Sequence, residues 1–160
     1  MTWRGTTTMG DRIFASLPYL LPLMYGIPFG GSLLAMFPAL GLILFPLIGP
    51  FAVVYSTIPF AGIVVFFALL LLVVRNERIA HFIRFNTMQA LLISIVLFLC
   101  QLLIGVLANM GGSIALIVQV LNNTVFIAVL AVFVYAVVQS CRGRYAEIPA
   151  ISEAVYMQVR

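Results

Sequence analysis

The chain has 160 residues, of which 64% are apolar and 8% are charged, and its formal net charge is +4. Typical soluble domains contain about 45–50% apolar and about 25% charged residues, and eight basic and four acidic side chains cannot cover the surface of a globular domain of this length. These values exclude a soluble enzyme, a nucleic-acid-binding domain and a disordered linker as descriptions of the whole chain. They indicate an integral membrane protein.

The charged side chains are concentrated in three groups, near the N-terminus, around residues 75–84 and after residue 141. Residues 13–74 and 85–141 contain no charged side chain. Each of these stretches is much longer than the ~20 apolar residues that one helical crossing requires. We therefore expect each of them to cross the membrane more than once.

At the start of the chain, residues 1–10 are predicted to be a polar tail and residues 11–31 a first apolar segment. Pro18, Pro22 and Pro28 interrupt this segment, which leaves a helical run too short to cross comfortably. Its apolar residues recur on one helical face, so we predict an interfacial or re-entrant amphipathic helix on the cytoplasmic surface. A kinked additional span is the alternative.

Residues 32–141 are predicted to form a helical membrane domain, which prolines and turn residues divide into four helices. The predicted spans are residues 33–54, 58–74, 86–108 and 113–138. A polar tail, residues 142–160, follows them. The predicted fold is thus an all-α integral membrane protein with four transmembrane helices preceded by the interfacial or re-entrant helix.

Arginine placement supports four spans. With four crossings every arginine lies on one side, and the two opposite connections, near residues 55–57 and 109–113, carry no charge. The positive-inside rule places the arginine side in the cytoplasm, or in the stroma of a plastid. Both termini are therefore predicted to be cytoplasmic or stromal.

Uncharged polar side chains inside the predicted spans are the first candidates for function, because a polar group in hydrocarbon is costly. The candidates are Thr87, Ser94 and Gln101 on the third span and Gln119, Asn122 and Asn123 on the fourth. They would either border a polar path or bond the helices to each other, at about 0.6–2 kcal/mol per hydrogen bond.

The arginine-rich connection offers a second candidate site. Arg75, Arg78 and Arg84 alternate with apolar residues there. This amphipathic pattern predicts arginines that reach anionic lipid headgroups, or a docking surface for a partner.

No Asp, Glu, Lys, Arg or His lies inside a predicted span, which disfavours proton- or sodium-coupled transport. The single His81 has no second His or Cys nearby in the sequence, so no metal site is predicted. No acid lies within helical reach of a nucleophilic serine, and a glycine-rich phosphate loop is absent. We predict no catalytic residues, no cofactor and no enzymatic activity.

Several short motifs together resemble one family. They are Asp11-Arg12-Ile13, the string LPYLLPL at residues 17–23, Arg75-Asn76, the string RFNTMQA at residues 84–90, and NTVF at residues 123–126. In this order they are similar to the twenty-kilodalton subunit of the translocon at the inner chloroplast envelope, in its cyanobacterial or plastid-encoded form. The likeness covers residues 11–141, and residues 84–90 are its most specific part.

The resemblance implies a four-span membrane protein with both termini in the stroma, and a place in a complex that conducts preproteins. It implies the cell membrane of a cyanobacterium or the inner envelope of a plastid as the location. We therefore expect a non-enzymatic subunit whose partners are the lipid bilayer, other membrane subunits, unfolded precursor polypeptides and, since four helices cannot enclose a protein-wide pore, further copies of itself. A small-solute or amino-acid channel and a purely structural subunit are the alternatives.

Overall fold

The computed structural model describes residues 7–149 and 151–159. Arg4, Arg160 and most of the predicted N-terminal tail lie outside the described residues. Every regular element within the described ranges is helical, as the sequence predicts. Four helices are long and apolar enough to cross a membrane: Met9–Met36, Pro38–Thr57, His81–Ala108 and Ala115–Cys141. The predicted number of long apolar helices is therefore confirmed, although the first of the four covers the segment predicted to be interfacial and the predicted span 58–74 is not among them.

The first long helix, α1, runs from Met9 to Met36. Thr8 caps its start, since the Thr8 hydroxyl accepts from the Asp11 amide at 3.2 Å and the Asp11 carboxylate accepts from the Thr8 amide at 2.9 Å. Of the three prolines that were expected to break it, Pro18 and Pro28 start the tighter 3₁₀ turns Leu17–Tyr19 and Ile27–Gly30, and Pro22 lies in the α-helical stretch between them. The helical path therefore continues through all three. The interfacial placement of residues 11–31 stays a prediction.

The next two helices differ from the predicted spans in their bounds. Helix α2 covers Pro38–Thr57 and helix α3 covers Ala61–Val74. Phe37 and Ile58 are non-helical because each precedes a proline, which disfavours the α conformation. Phe60 follows in the left-handed region, with φ of 59°, and completes the break. Helix α3 is too short to cross a bilayer by itself, and its last six residues, Leu69–Val74, are π-helical.

Helix α4, His81–Ala108, begins within the predicted arginine-rich connection, and helix α5 covers Ala115–Cys141 after a 3₁₀ turn at Gly112–Ile114. The predicted polar C-terminal tail contains a short helix, α6, Ile151–Gln158. Val155 and Val159 on this segment are buried. The tail is therefore part of the packed structure.

Helix α1 packs antiparallel to α5 along its whole length. The Arg12 guanidinium lies 3.4 Å from the Cys141 carbonyl oxygen, and the Ser32 hydroxyl donates to the Asn123 side-chain oxygen near the other end. Between these points Gly30 lies so close to Phe126 that an added Cβ would be 2.6 Å from the ring. Glycine here lets the two helices approach closely, as small residues do in membrane bundles.

Helices α2 and α3 run alongside α1 in the opposite direction. The aromatic rings of Tyr25 on α1 and Tyr55 near the end of α2 are 6.5 Å apart, and α3 starts beside Tyr25 at Gly62. Val73 at the other end of α3 borders the same groove as Phe14, near the start of α1. The chain therefore runs in one direction along α1 and returns along α2 and α3 together. It then runs in the first direction again along α4 and returns along α5.

Candidate functional site

A cluster of buried polar side chains lies where α1, α4 and α5 meet the C-terminal segment, by which we mean residues 142–149 and 151–159. We call it the polar hub, and it consists of Tyr19, Asn86, Gln89, Ser140 and Ser152. The Tyr19 hydroxyl donates to the Asn86 side-chain oxygen at 2.9 Å, and the Gln89 amide donates to the Tyr19 oxygen at 3.0 Å. Ser140 donates to the same Asn86 oxygen at 3.3 Å. Three helices are thus joined by side-chain hydrogen bonds.

Gln89 also holds the C-terminal segment. Its amide nitrogen donates to the Ala146 carbonyl oxygen at 2.6 Å, and its side-chain oxygen accepts from the Ser152 hydroxyl at 3.1 Å. The Ser152 oxygen in turn accepts from the Ile148 amide at 2.6 Å. Each polar atom of Gln89 therefore has a partner inside the protein. A buried network in which every hydrogen-bonding group has a partner holds the surrounding elements in place. Gln89 therefore has no free polar group with which to bind a ligand.

The predicted polar stripe on α4 does not form one surface. Thr87 and Ser94 are buried, whereas Gln101 is exposed. The Ser94 hydroxyl donates to the Ala90 carbonyl of its own helix at 2.9 Å, and the Thr87 hydroxyl makes no hydrogen bond with the described residues. The three side chains therefore have three different surroundings.

The predicted polar residues of α5 do lie together, at the end of the bundle opposite the arginines. Gln119 and Asn122 line a recess of about 420 Å³, which Ser32 on α1 also borders. Asn123 lies beside it and accepts the hydrogen bond from Ser32. We call this space the outer recess. The described residues that line it carry hydroxyl and amide groups but no charge.

A second cavity lies at the end of the bundle that carries Arg12, Arg75 and Arg142, which we call the arginine end. We call this cavity the apolar groove. It has a volume of about 480 Å³ and lies between α1, α3 and the start of α4. Apolar side chains such as Leu21, Leu69 and Ile83 line it, together with Thr87 and Tyr55. The hydroxyl groups of Thr87 and Tyr55 are buried and make no hydrogen bond with the described part of the chain.

The three candidate arginines of the loop separate into two kinds. Arg75 and Arg78 are exposed, as contact with headgroups or a partner requires. Arg84 is buried, and its Nε donates to the Val74 carbonyl at 2.8 Å. It therefore caps the end of α3, whose last carbonyls have no partner within the helix, and it does not have the exposed position that was expected for it.

The described residues contain no group of three or more His, Cys, Asp or Glu side chains that could hold a metal ion. The ring nitrogen Nδ1 of His81 lies 3.0 Å from the Tyr145 hydroxyl. Cys100 and Cys141 are free thiols.

Sequence reasoning missed the polar hub, although one signal was present. Asn86 and Gln89 are three residues apart and so share a helix face, and both belong to the RFNTMQA string that carries the resemblance. Their partners Tyr19 and Ser152 are distant in the sequence. The composition of residues 142–160 predicts a polar tail, and a tail in water offers no partner to a buried glutamine.

Comparisons with known proteins agree on one family. A family model described as "Chloroplast import apparatus Tic20-like" matches residues 8–155. A Tic20 family protein of Synechocystis is 43% identical over all of this chain and 99% of its own length. Protein TIC 20-II, chloroplastic, of Arabidopsis thaliana is 34% identical over 96% of this chain and 74% of its own length. The Tic20 family protein Ycf60 of Gracilaria tenuistipitata is 35% identical over 95% of this chain and 76% of its own length.

Proposed function

This chain belongs to the Tic20-like family of the chloroplast import apparatus, and from that premise we propose that it is a non-enzymatic membrane subunit of a protein-translocation complex. The outer recess is the observation that carries the proposal. Gln119 and Asn122 offer uncharged hydrogen-bonding groups there, close to apolar surface. A passing polypeptide needs such groups, because fixed charges would bind some sequences too tightly to release them.

The recess lies on one side of the protein, and the polar side chains of α4 are not continuous with it. A polypeptide would therefore pass along the surface of this chain, between it and other subunits or further copies. This arrangement supports a translocon subunit better than a small-solute channel within one copy. The polar hub joins helices to each other, as a purely structural subunit would require, but that alternative predicts no crosslinks between the outer recess and a polypeptide in passage.

A photoreactive side chain at Asn122 tests the proposal in the native membrane complex. A precursor with a tightly folded C-terminal domain is halted during passage, and crosslinks to this chain are measured after illumination. We expect crosslinks from Asn122 and none from the same probe at Leu116, which is 72% exposed on the same helix and does not line the recess. Equal crosslinking from both positions, or from neither, would contradict a role in passage.

We also propose that α1 crosses the membrane as the first span and that α2 and α3 together form the second. Arg12, Arg75, Arg78, Arg142 and Arg144 then lie at one end of the bundle. Helix α1 supports this arrangement because it contacts α5 from Cys141 to Asn123. Four crossings place both termini on the arginine side, which the positive-inside rule assigns to the cytoplasm or stroma.

Cysteine labelling decides between a spanning and an interfacial α1. In a chain without Cys100 and Cys141, a membrane-impermeant maleimide should reach Met36→Cys and Met110→Cys from one side and Met9→Cys only from the other. All three native side chains are at least 67% exposed. If Met36→Cys and Met9→Cys react from the same side, α1 does not cross.

A further inference from the structure

The apolar groove has the volume of a ligand site. Its volume of about 480 Å³ falls within the range of about 300–1,000 Å³ that is typical of small-molecule pockets. Phe14 and Phe51 at its edge are 61% and 47% exposed, so the groove opens on the side of the bundle. In a membrane this side meets lipid tails.

A hydroxyl group distinguishes this groove from an ordinary lipid-facing surface. The hydroxyl of Thr87 is buried and without a hydrogen-bond partner among the described residues, and Thr87 lines the groove. A buried donor without an acceptor costs about 1–3 kcal/mol. Hydrocarbon cannot accept a hydrogen bond, and the backbone carbonyls of a partner helix are already used within that helix. The ester carbonyls of a glycerolipid are free acceptors.

The charged side chains at the mouth of the groove indicate which kind of lipid headgroup would bind there. Val73 and Ile79 line the groove, and the loop between them carries the exposed side chains Arg75, Glu77 and Arg78. The loop is therefore net positive at the arginine end of the bundle. Basic residues at this depth attract the anionic headgroups of the cytoplasmic leaflet.

We propose that the apolar groove binds one glycerolipid with an anionic headgroup. An acyl chain lies along Leu21 and Leu69, an ester carbonyl accepts from the Thr87 hydroxyl, and the headgroup lies against Arg75 and Arg78. This site does not depend on the transport function proposed above, and either one stands if the other fails.

Native mass spectrometry of the purified full chain tests the site. The detergent solution contains equal amounts of dioleoyl phosphatidylglycerol and dioleoyl phosphatidylcholine. We expect one retained phosphatidylglycerol per chain in the wild type. Leu69→Trp fills the groove and should reduce retention by about tenfold, which corresponds to about 1.4 kcal/mol. Leu72→Trp is the control, because Leu72 lies on the same helix, is 67% exposed and does not line the groove.

Substitutions that remove positive charge test whether the site prefers an anionic headgroup. Arg75→Gln with Arg78→Gln should remove the preference for phosphatidylglycerol over phosphatidylcholine and leave some lipid bound. Arg142→Gln with Arg144→Gln removes the same charge from exposed positions that follow α5 and should leave the preference unchanged. A thermal unfolding midpoint for each variant confirms that the chain is folded.

Four results would overturn the proposal. Equal retention of both lipids by the wild type would contradict the proposed preference for an anionic headgroup. Unchanged retention in Leu69→Trp would place the lipid elsewhere. A lipid-free dimer that Leu69→Trp dissociates would identify a second copy of the chain as the occupant, and crosslinks from Leu69 to a halted precursor would identify a client segment.

Discussion

Replacing Gln89 by methionine removes the centre of the polar hub while it keeps a side chain of similar length. The Ala146 carbonyl then loses its donor, and the Ser152 hydroxyl loses its acceptor. The Tyr19 hydroxyl keeps its bond to Asn86. The substitution therefore acts mainly on the connection between α4 and the C-terminal segment.

The size of the effect follows from the two groups that lose their partners. Each buried group without a partner costs about 1–3 kcal/mol, and the Ser152 hydroxyl still accepts from the Ile148 amide, which keeps its loss near the lower end of that range. We expect the docked C-terminal segment to lose about 2–4 kcal/mol, which raises the population of its detached form by about 30- to 900-fold.

Amide hydrogen exchange of the purified chain measures this population. An eight-residue helix is not stable alone in water, so the amides of Ile151–Gln158 exchange when the segment detaches. Their exchange should accelerate about 30- to 900-fold in Gln89→Met, while the amides in the middle of α4 and α5 keep their rates. Gln101→Met is the matched control, because Gln101 is an exposed glutamine on the same helix. If Ile151–Gln158 exchanges equally in both variants, the hub does not hold the C-terminal segment.

Three further predictions use an unfolding titration in mixed micelles. Gly30→Ala should lower stability by about 1–3 kcal/mol, since the new Cβ would lie 2.6 Å from the facing ring, whereas Gly31→Ala, with nothing within 4 Å, should not; equal losses would contradict the close approach of α1 and α5. Asn123→Leu removes the bond to α1 and should cost about 1 kcal/mol, while Asn122→Leu in the outer recess should leave the midpoint unchanged; the reverse order would refute this division of roles. Tyr19→Phe removes one hydroxyl with two hydrogen bonds and should cost about 1–2 kcal/mol; an unchanged midpoint would argue against the hub geometry.

The spans show where sequence reasoning succeeded and where it did not. The charge-free stretches predicted four long apolar helices, and four are present. Pro18 and Pro28 predict helix breaks, yet they start 3₁₀ turns inside one continuous helical path, because the close neighbours α4 and α5 support it. Phe37 and Ile58, each before a proline, do end helices. Local sequence does not distinguish these cases, since the surrounding helices decide whether a break is tolerated.

The candidate residues divide in a similar way. Asn122 and Gln119 were chosen as polar residues of one helix face, and both line one recess. Arg84 was grouped with Arg75 and Arg78 on sequence spacing, but it is turned inward to the end of α3. Spacing along a helix gives the face on which a residue lies, whereas burial of that face depends on which element packs against it.

Composition and charge position alone determined that this protein is helical, resides in a membrane and carries its arginines in three groups, because hydrocarbon excludes charge regardless of how the helices pack. The tertiary structure decided which polar side chains meet. Tyr19, Gln89 and Ser152 become one network only because α1, α4 and the C-terminal segment are adjacent. Hydrogen bonds act over about 3 Å. A sequence pattern predicts which residues face lipid or water, but it does not predict which distant residues come this close to each other.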